Sequence, residues 1–444
     1  MQGHAMVAMG HVKAGLAMLG RAASLAEAQG FDGHHAAIEI ALASYEARYG
    51  GRPPHEAIAR LEAAQQAHVH DSYSARSLML DRAALLAFVG RSDEAWALLH
   101  DTDRMVIPTG DERMAIRLAL TTAIVASLRE GAEPARVHVR EAEARLAGYW
   151  DRALRVEVLC AKAWTVADDE RAALARELSD AARETGIARA AVFARVLSPE
   201  APMPASVRVR EFEDDRFGAL LLALEDPACV ARLLRDGYLG LLPRALGLAP
   251  GRRLYLGDGG ALVVERNGNL ASSKPGEGTL RLLRVLGDGR WWTKEELLAT
   301  VWSIATYRPE RHDSVVYMAI ARARQALGDC REWLENDQGS YRLGGVECRA
   351  LGATGEGTAS GSMPPPQMQA AHATADDLAD VSADREGAIV FLRTHGNVTT
   401  GALAKALGVS EMTALRELRR LVDDGVLRRT GRGRATRYEL VEPR

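Results

Sequence analysis

Between Arg311 and Asp329 the chain sets two kinds of residue on opposite sides of one helix. Val316, Ile320, Ala323 and Leu327 recur at i, i+4, i+7 and i+11, which lays a single apolar stripe along an α-helix. The opposite face carries Ser314, Tyr317, Arg322, Arg324 and Gln325. Hydroxyl, amide and guanidinium groups are the types that bond base edges, phosphates and sugars when a helix enters a major groove. An ordinary amphipathic surface helix shows the same stripe, so the neighbouring segments decide. A second group of candidates lies near the end of the chain. Arg419, Arg420, Arg428, Arg429, Arg432, Arg434 and Arg437 concentrate positive charge in a short stretch, which suits a phosphate backbone.

Catalytic chemistry finds no comparable support. The glycine-rich run from Gly355 to Gly361 lacks the lysine that phosphate cradling needs. His34-His35 and His68-Val-His70 read better as solvated helix faces than as metal ligands. We expect no catalytic residue, no metal and no cofactor.

The elements that would position Arg322 and its neighbours are legible on both sides. Thr293 and Glu296 form a capping box that opens a helix with Leu297, Leu298, Val301 and Trp302 on one face. Gly278 to Leu286 reads as a shorter helix with Leu280, Leu283 and Leu286 inward. Three short stretches precede it: RLYL at 253, ALVV at 261 and NLAS at 269, separated by Asp-Gly-Gly and Asn-Gly turn signals. After the long helix, Trp333-Leu334-Glu335, an Asn-Asp-Gln-Gly turn and SYRL at 340 predict a hairpin that carries Arg342. The order over 251–345 is small sheet, three helices, hairpin. That order, the helix ending in Val301-Trp302, the segment Arg322–Asp329 and Gly339–Leu343 resemble the winged-helix effector domain of OmpR/PhoB-type response regulators, found also in the antibiotic regulatory proteins of actinomycetes. The resemblance implies that 311–327 is a recognition helix with Arg322 and Arg324 at DNA-contacting positions. It further implies that Ser303–Arg311 is the loop that in the family contacts RNA polymerase. The chain departs from the pattern at Ala319 and Ala321, where the family has polar or basic residues.

Residues 384–444 predict a second small α+β domain. Ile389, Val390 and Leu392 belong to one helix, Thr400–Leu407 to another, and Ser410 caps a third that buries Ala414, Leu418 and Leu421. VLRRT and TRYEL flank a Gly431-Arg-Gly433 turn as a hairpin, with Val426, Tyr438 and Leu440 on the packed side. LAKALGVSEMTALRELRRLVDDGVLRR resembles the helix-turn-helix and wing of small bacterial repressors of the DeoR and MarR kind. That resemblance puts Thr413 and Arg416, with Ser410 at the helix start, toward the major groove.

Residues 1–198 are rich in Ala, Leu, Arg and Glu with almost no strand-like alternation. Start points near Phe31, Asp71, Gly110 and Trp150 recur at roughly 40 residues, each unit holding two helices, the signature of an α-solenoid. Ser74–Leu99 resembles a tetratricopeptide repeat. Gly10–Gly30 reads as the second helix of a unit whose first helix is very short, lies upstream or is replaced by a partner. Ser198–Asp214 is Pro-bearing and charged, so 199–250 reads as a joint and helical connector. It leaves open a final solenoid cap or a coupling element. Residues 346–383, rich in Gly, Ser, Pro and Ala, predict a flexible linker.

The expected fold is mainly α: an N-terminal α-solenoid of tetratricopeptide-like helix pairs, followed by two α+β winged-helix domains. With 444 residues and a net charge of −3, any nucleic-acid binding must be local. The widely spaced Cys160, Cys229, Cys330 and Cys348 read as free thiols. No signal peptide appears, and no apolar run approaches the roughly 20 residues of a membrane span, so a cytoplasmic protein is expected. The function these features imply is a sequence-specific DNA-binding transcriptional regulator whose repeats sense a protein, peptide or small ligand. Double-stranded DNA is the expected partner, with RNA polymerase and a second copy of the chain as further candidates. The alternative is an interaction scaffold that uses the solenoid and winged helices as docking modules.

Overall fold

The computed structural model describes residues 2–9, 11–67, 72–106, 110–149, 151–201, 215–224, 226, 228–257, 260–351 and 397–407. In the last segment it describes 414–415, 418, 421–422, 427–430 and 437–440. The chain forms two compact units, Met1–Ser362 and Met363–Arg444.

The Ala- and Leu-rich segment folds as paired helices. They are α1 (Gln2–Ala8), α2 (Val12–Ala28), α3 (Asp32–Tyr49), α4 (Pro54–Ala67), α5 (Ser72–Phe88) and α6 (Ser92–Val106). The series continues with α7 (Glu112–Arg129), α8 (Ala132–Leu146), α9 (Arg152–Lys162), α10 (Arg171–Thr185) and α11 (Ala188–Leu197). The pairs α3–α4, α5–α6, α7–α8 and α9–α10 begin close to the starts that the roughly 40-residue recurrence marks. Aspartates fix two of those starts. Asp111 Oδ1 accepts the Met114 N–H at 3.0 Å, and Asp151 Oδ1 accepts those of Ala153 and Leu154 at 2.8 and 3.1 Å. The segment from Gly10 does have a short first helix, α1, packed on α2.

Residues 202–214 lie outside the described residues. The rest of the expected joint is packed inside the fold. It forms α12 (Arg216–Leu222), α13 (Cys229–Asp236) and α14 (Leu242–Ala245). Phe217, Leu220, Leu221, Leu233, Leu241 and Leu242 of this segment share one core with the repeats. The Phe217 ring lies 4.6 Å from Phe88 and 5.5 Å from Tyr238. The Arg244 guanidinium stacks over Trp164 at 4.7 Å and donates to the carbonyls of Ala163 and Trp164, each at 3.2 Å, which satisfies the end of α9. The segment packs on the repeats through α12 and touches β3 of the central module through Leu239–Leu241.

That sheet has four strands, ordered β3-β2-β1-β6, from β1 (Arg252–Gly257), β2 (Leu262–Arg266), β3 (Asn269–Ser273) and β6 (Glu347–Leu351). β1, β2 and β3 are the antiparallel meander that the turn signals predict. β6 is a correction. The expected linker from 346 begins later, because Glu347–Leu351 pairs in parallel with β1, Arg253 opposite Glu347. One face of the sheet, with Leu254, Leu256, Leu262 and Val264, covers three helices. From the other, Tyr255, Val263 and Leu351 enter the repeat core, joined there by Leu270 of β3. Burial on both faces is why β1 and β2 read as near-continuous apolar runs. Glu265 is fully buried on the repeat side. It accepts the Tyr255 hydroxyl at 2.5 Å and the Gly251 N–H at 2.7 Å, with Arg253 Nη1 at 3.3 Å. Burial, then the bond to Glu265, pushes the Tyr255 phenol far above its usual range.

The three helices are α15 (Glu277–Leu286), α16 (Lys294–Trp302) and α17 (Pro309–Leu327). The capping box at Thr293 and Glu296 forms as expected. α17 starts at Pro309 rather than Arg311, since proline at the first turn needs no N–H partner. The hairpin of β4 (Leu334–Asp337) and β5 (Ser340–Leu343) is extended by Trp292, whose N–H and C=O pair with Tyr341 at 2.9 and 2.8 Å.

The turn between β2 and β3 is set between two repeats. Leu270 N–H donates to Gly90 O at 2.7 Å, Ser92 Oγ donates to Gly268 O at 2.7 Å, and Asp93 N–H donates to Asn269 Oδ1 at 3.0 Å. Gly268 has φ +78°, and a Cβ there would lie 2.6 Å from Arg129 Cα. Gly90, with φ +89°, would set a Cβ 2.8 Å from that of Leu270.

In the second unit, β7 (Asn397–Val398), β8 (Leu427–Thr430) and β9 (Arg437–Leu440) form a sheet ordered β7-β9-β8, with α18 (Thr400–Leu407) after β7. Ala414, Leu418 and Leu421 are buried, as their spacing predicts, and so is Tyr438. Leu427 is buried on β8, while Val426, expected there, lies outside the described residues, as do Ile389, Val390 and Leu392. The four cysteines are unpaired. Among the described residues no helix is long and apolar enough to cross a membrane.

The close approach at Gly268 generates a stability prediction. Gly268→Ala combines positive-φ strain with an overpacked backbone contact and should cost about 2–4 kcal/mol in urea unfolding. Gly237→Ala, at φ +83° with open space around it, should cost about 1 kcal/mol. Equal losses in the two variants would show that the inserted turn tolerates a side chain.

Candidate nucleic-acid interface

The apolar stripe of α17, Val316, Ile320, Ala323 and Leu327, is buried as its spacing predicts. The opposite face exposes Ser314, Tyr317, Met318, Ala321, Arg322 and Gln325. The side chains of Arg308, Arg311 and Arg322 make no hydrogen bond or ion pair among the described residues. Arg311, Met318 and Arg322 are spaced i, i+7 and i+11, so they share one side of the helix. Neither Arg308 nor Arg311 is among the DNA contacts that the sequence pattern marks, though both lie in the 303–311 loop expected to meet RNA polymerase. The i, i+11 spacing of Arg311 and Arg322 is the signal that could have found the second of them.

A polar network fixes the first half of α17. Lys294, at the start of α16, bonds Asp313 Oδ2 at 2.9 Å and the Tyr317 hydroxyl at 2.7 Å, with its ammonium 4.3 Å from the Tyr317 ring centre. The Tyr307 hydroxyl donates to the other oxygen of Asp313. That hydroxyl first, and Lys294 second, hold the Asp313 carboxyl below the usual carboxylate range. Tyr317 is therefore exposed but oriented.

The second half of the helix uses an arginine differently from the expectation. Arg324 is half-buried, and its Nη2 donates to Leu334 O at 3.1 Å, so it ties α17 to β4. Arg342 is likewise engaged, paired with Glu335 at 2.7 Å and stacked 4.5 Å from the centre of the Trp291 ring. Of the five candidates in this module, Ser314, Tyr317 and Arg322 are exposed on α17, while Arg324 and Arg342 make bonds within the module.

In the second unit, Arg428 on β8 and Arg437 on β9 are exposed. Ser410, Thr413, Arg416, Arg419, Arg420, Arg432 and Arg434, and the side chain of Arg429, lie outside the described residues.

Comparison with known proteins bears on this second unit. Residues 379–441 match the family described as transcriptional regulator DIP2311-like, C-terminal domain. No curated protein and no solved structure matches the chain. The family match supports a role in transcription regulation, through a segment that takes in β7, α18, β8 and β9.

Two predictions come from the α17 network. Arg324→Ala should destabilise the module by about 1–2 kcal/mol through loss of a charge-assisted bond. Arg322→Ala, with no such bond to lose, should stay within about 0.5 kcal/mol; paired chemical melts would check the contrast. The second concerns pH. Because folding depresses the Asp313 pKa, its contribution is complete above the unfolded carboxylate value of about 4 and disappears as pH falls through the lowered value. Amide exchange over Pro309–Tyr317 should accelerate on that acid limb, and Asp313→Asn should remove the pH dependence.

Proposed function

We propose that the chain is a sequence-specific DNA-binding transcriptional regulator. In this reading the module spanning 251–351 is an OmpR/PhoB-type winged helix, and the last segment is a winged helix-turn-helix of the DeoR/MarR kind. The helical repeats are the sensing part, for a protein, peptide or small ligand, and no step of catalysis is involved. The observation that carries the reading is the match of 379–441 to a domain of transcriptional regulators. Arg308, Arg311 and Arg322 around α17, exposed and unpaired among the described residues, support it, since such guanidinium groups suit phosphates and guanine edges.

A second reading has its own support. Tyr317 and Met318, adjacent on α17, are 51% and 46% exposed, apolar surface that suits a protein contact. That favours a protein docked on the central module, with RNA polymerase as the candidate for the loop before α17. A second copy of the chain is the other partner candidate.

Sequencing the genomic fragments that the purified full chain retains would define a site, and variants on that site separate the readings. Arg322→Ala should cost about 1–3 kcal/mol of affinity and relax preference at one base position. Arg311→Ala should weaken all sequences alike and flatten the salt dependence by about one unit. Unchanged affinity and specificity in both variants, with loss of polymerase binding, would replace the first reading of the central module by the second.

A further inference from the structure

Between α6 and α8, over α7, lies a cavity of about 500 Å³. Leu99, Ala115 and Leu118 contribute an apolar floor. Trp96 from α6 and His138 from α8 meet edge to face across one end, with ring centroids 6.4 Å apart. The other end is acidic. Arg145 is shared by Glu112 at 3.3 Å and Glu141 at 3.2 Å, so one guanidinium serves two carboxylates. Asp103, half-buried in the same wall, has no hydrogen bond or ion pair among the described residues. Asp111, which also lines the cavity, is balanced by Arg76 at 3.8 Å, so Asp103, Glu112 and Glu141 against Arg145 leave an excess of two negative charges beside the apolar floor. The cavity is a half-open cleft of mixed polar and apolar lining; a concave apolar surface with a few convergent polar groups is the usual form of a small-molecule site.

We infer that this cavity binds a small organic cation with a flat apolar body, an aromatic amine, its ring packed against the Trp96–His138 pair and its ammonium on Asp103. An anion would meet Asp103, Glu112 and Glu141 and is disfavoured. A plain hydrocarbon would leave Asp103 desolvated without a partner, which costs affinity.

The position of the cavity gives such a ligand a route to the central module. The Arg129 guanidinium lies 5.2 Å from the centre of the Trp96 ring, and its Nε bonds Asp93 at 3.2 Å. Asp93 holds Asn269 through its backbone N–H, and Arg129 backs Gly268. A ligand packed on Trp96 therefore bears on the residues that hold the β2–β3 turn. This inference rests on the reading of the repeats as the sensing part, and it names the ligand class and the place.

The test is calorimetric titration of the full chain with tryptamine, 2-phenylethylamine and indole-3-propionate, the last pairing the same ring with opposite charge. The amines are expected to bind one to one, and the acid at least about tenfold more weakly, a difference of about 1.4 kcal/mol. Asp103→Asn should weaken the amines by about the same factor. Ala115→Phe, which fills the floor, should abolish binding of the amines, and an unchanged melting temperature would show that either variant is folded. Absence of amine binding at millimolar concentration overturns the proposal, as does equal binding of amine and acid, or indifference of the amines to both substitutions. DNA plays no part in this readout. A chain that binds the amines as stated but retains no DNA loses the regulator reading and keeps the site, whereas one that binds DNA but no amine loses the site alone.

Discussion

The rest of the first unit depends on the insertion of one turn. At Gly268 the β2–β3 turn runs against the backbone of Arg129, and at Gly90 the repeat runs against Leu270, closely enough that neither position has room for a side chain. The Gly90 carbonyl, the Gly268 carbonyl and the Asp93 N–H are paired across this contact. Withdrawing the sheet would leave those groups unpaired unless water replaced their partners, at about 1–3 kcal/mol for each that stayed buried. It would also expose Tyr255, Val263 and Leu270 and open the site of the buried Glu265. The sheet is thus a shared layer, with repeats on one face and α15, α16 and α17 on the other. The segment holding α12, α13 and α14 packs on the repeats through Phe217 and Arg244 and meets β3 through Leu239–Leu241.

Such a layer changes how a signal would travel. Two domains joined by a flexible segment influence each other through effective concentration. Here the repeats touch the sheet directly, so a displacement at α6 or α7 acts on β2 and β3 by contact. A packed interface of this kind tends to switch between discrete arrangements rather than deform continuously.

Much of this architecture is legible in the sequence because its signals are local. The stripe from Val316 to Leu327, the capping box at Thr293, the glycines at helix ends and the Asn-Gly turn each act within a few residues, and each forms where its spacing puts it. What escapes sequence reading is non-local. β6 carries Glu347 and Arg349 beside two glycines and looks like a linker; its strand character comes from β1, 94 positions away at the Arg253–Glu347 pair. The glycines at 90 and 268 announce turns, but that the two turns meet is a property of the assembled fold. Arg324 shows the same limit on a smaller scale. Its position on the polar side of the helix suggests solvent, yet the Leu334 carbonyl lies within its reach and binds it. The cavity over α7 is assembled from three helices, and no single window of sequence contains it.

The arginines show how a chain of net charge −3 can still present a cationic surface. Many guanidinium groups in the first unit are committed inside it. Arg48 pairs with Asp81, Arg189 with Asp215, Arg244 caps α9, Arg253 faces Glu265, and Arg324 ties α17 to β4. Carboxylates are buried with several of them, so those charges cancel locally and contribute little to the field outside. Arg308, Arg311 and Arg322 differ in having no such counter-charge among the described residues. At physiological salt a field is screened beyond about 8 Å. A polyanion that reaches α17 therefore meets these three charges and not the average of the whole chain. Near-zero net charge removes long-range steering and non-specific capture. It leaves a local cationic surface intact on the exposed side of α17, a helix held in place by Lys294, Asp313 and Arg324.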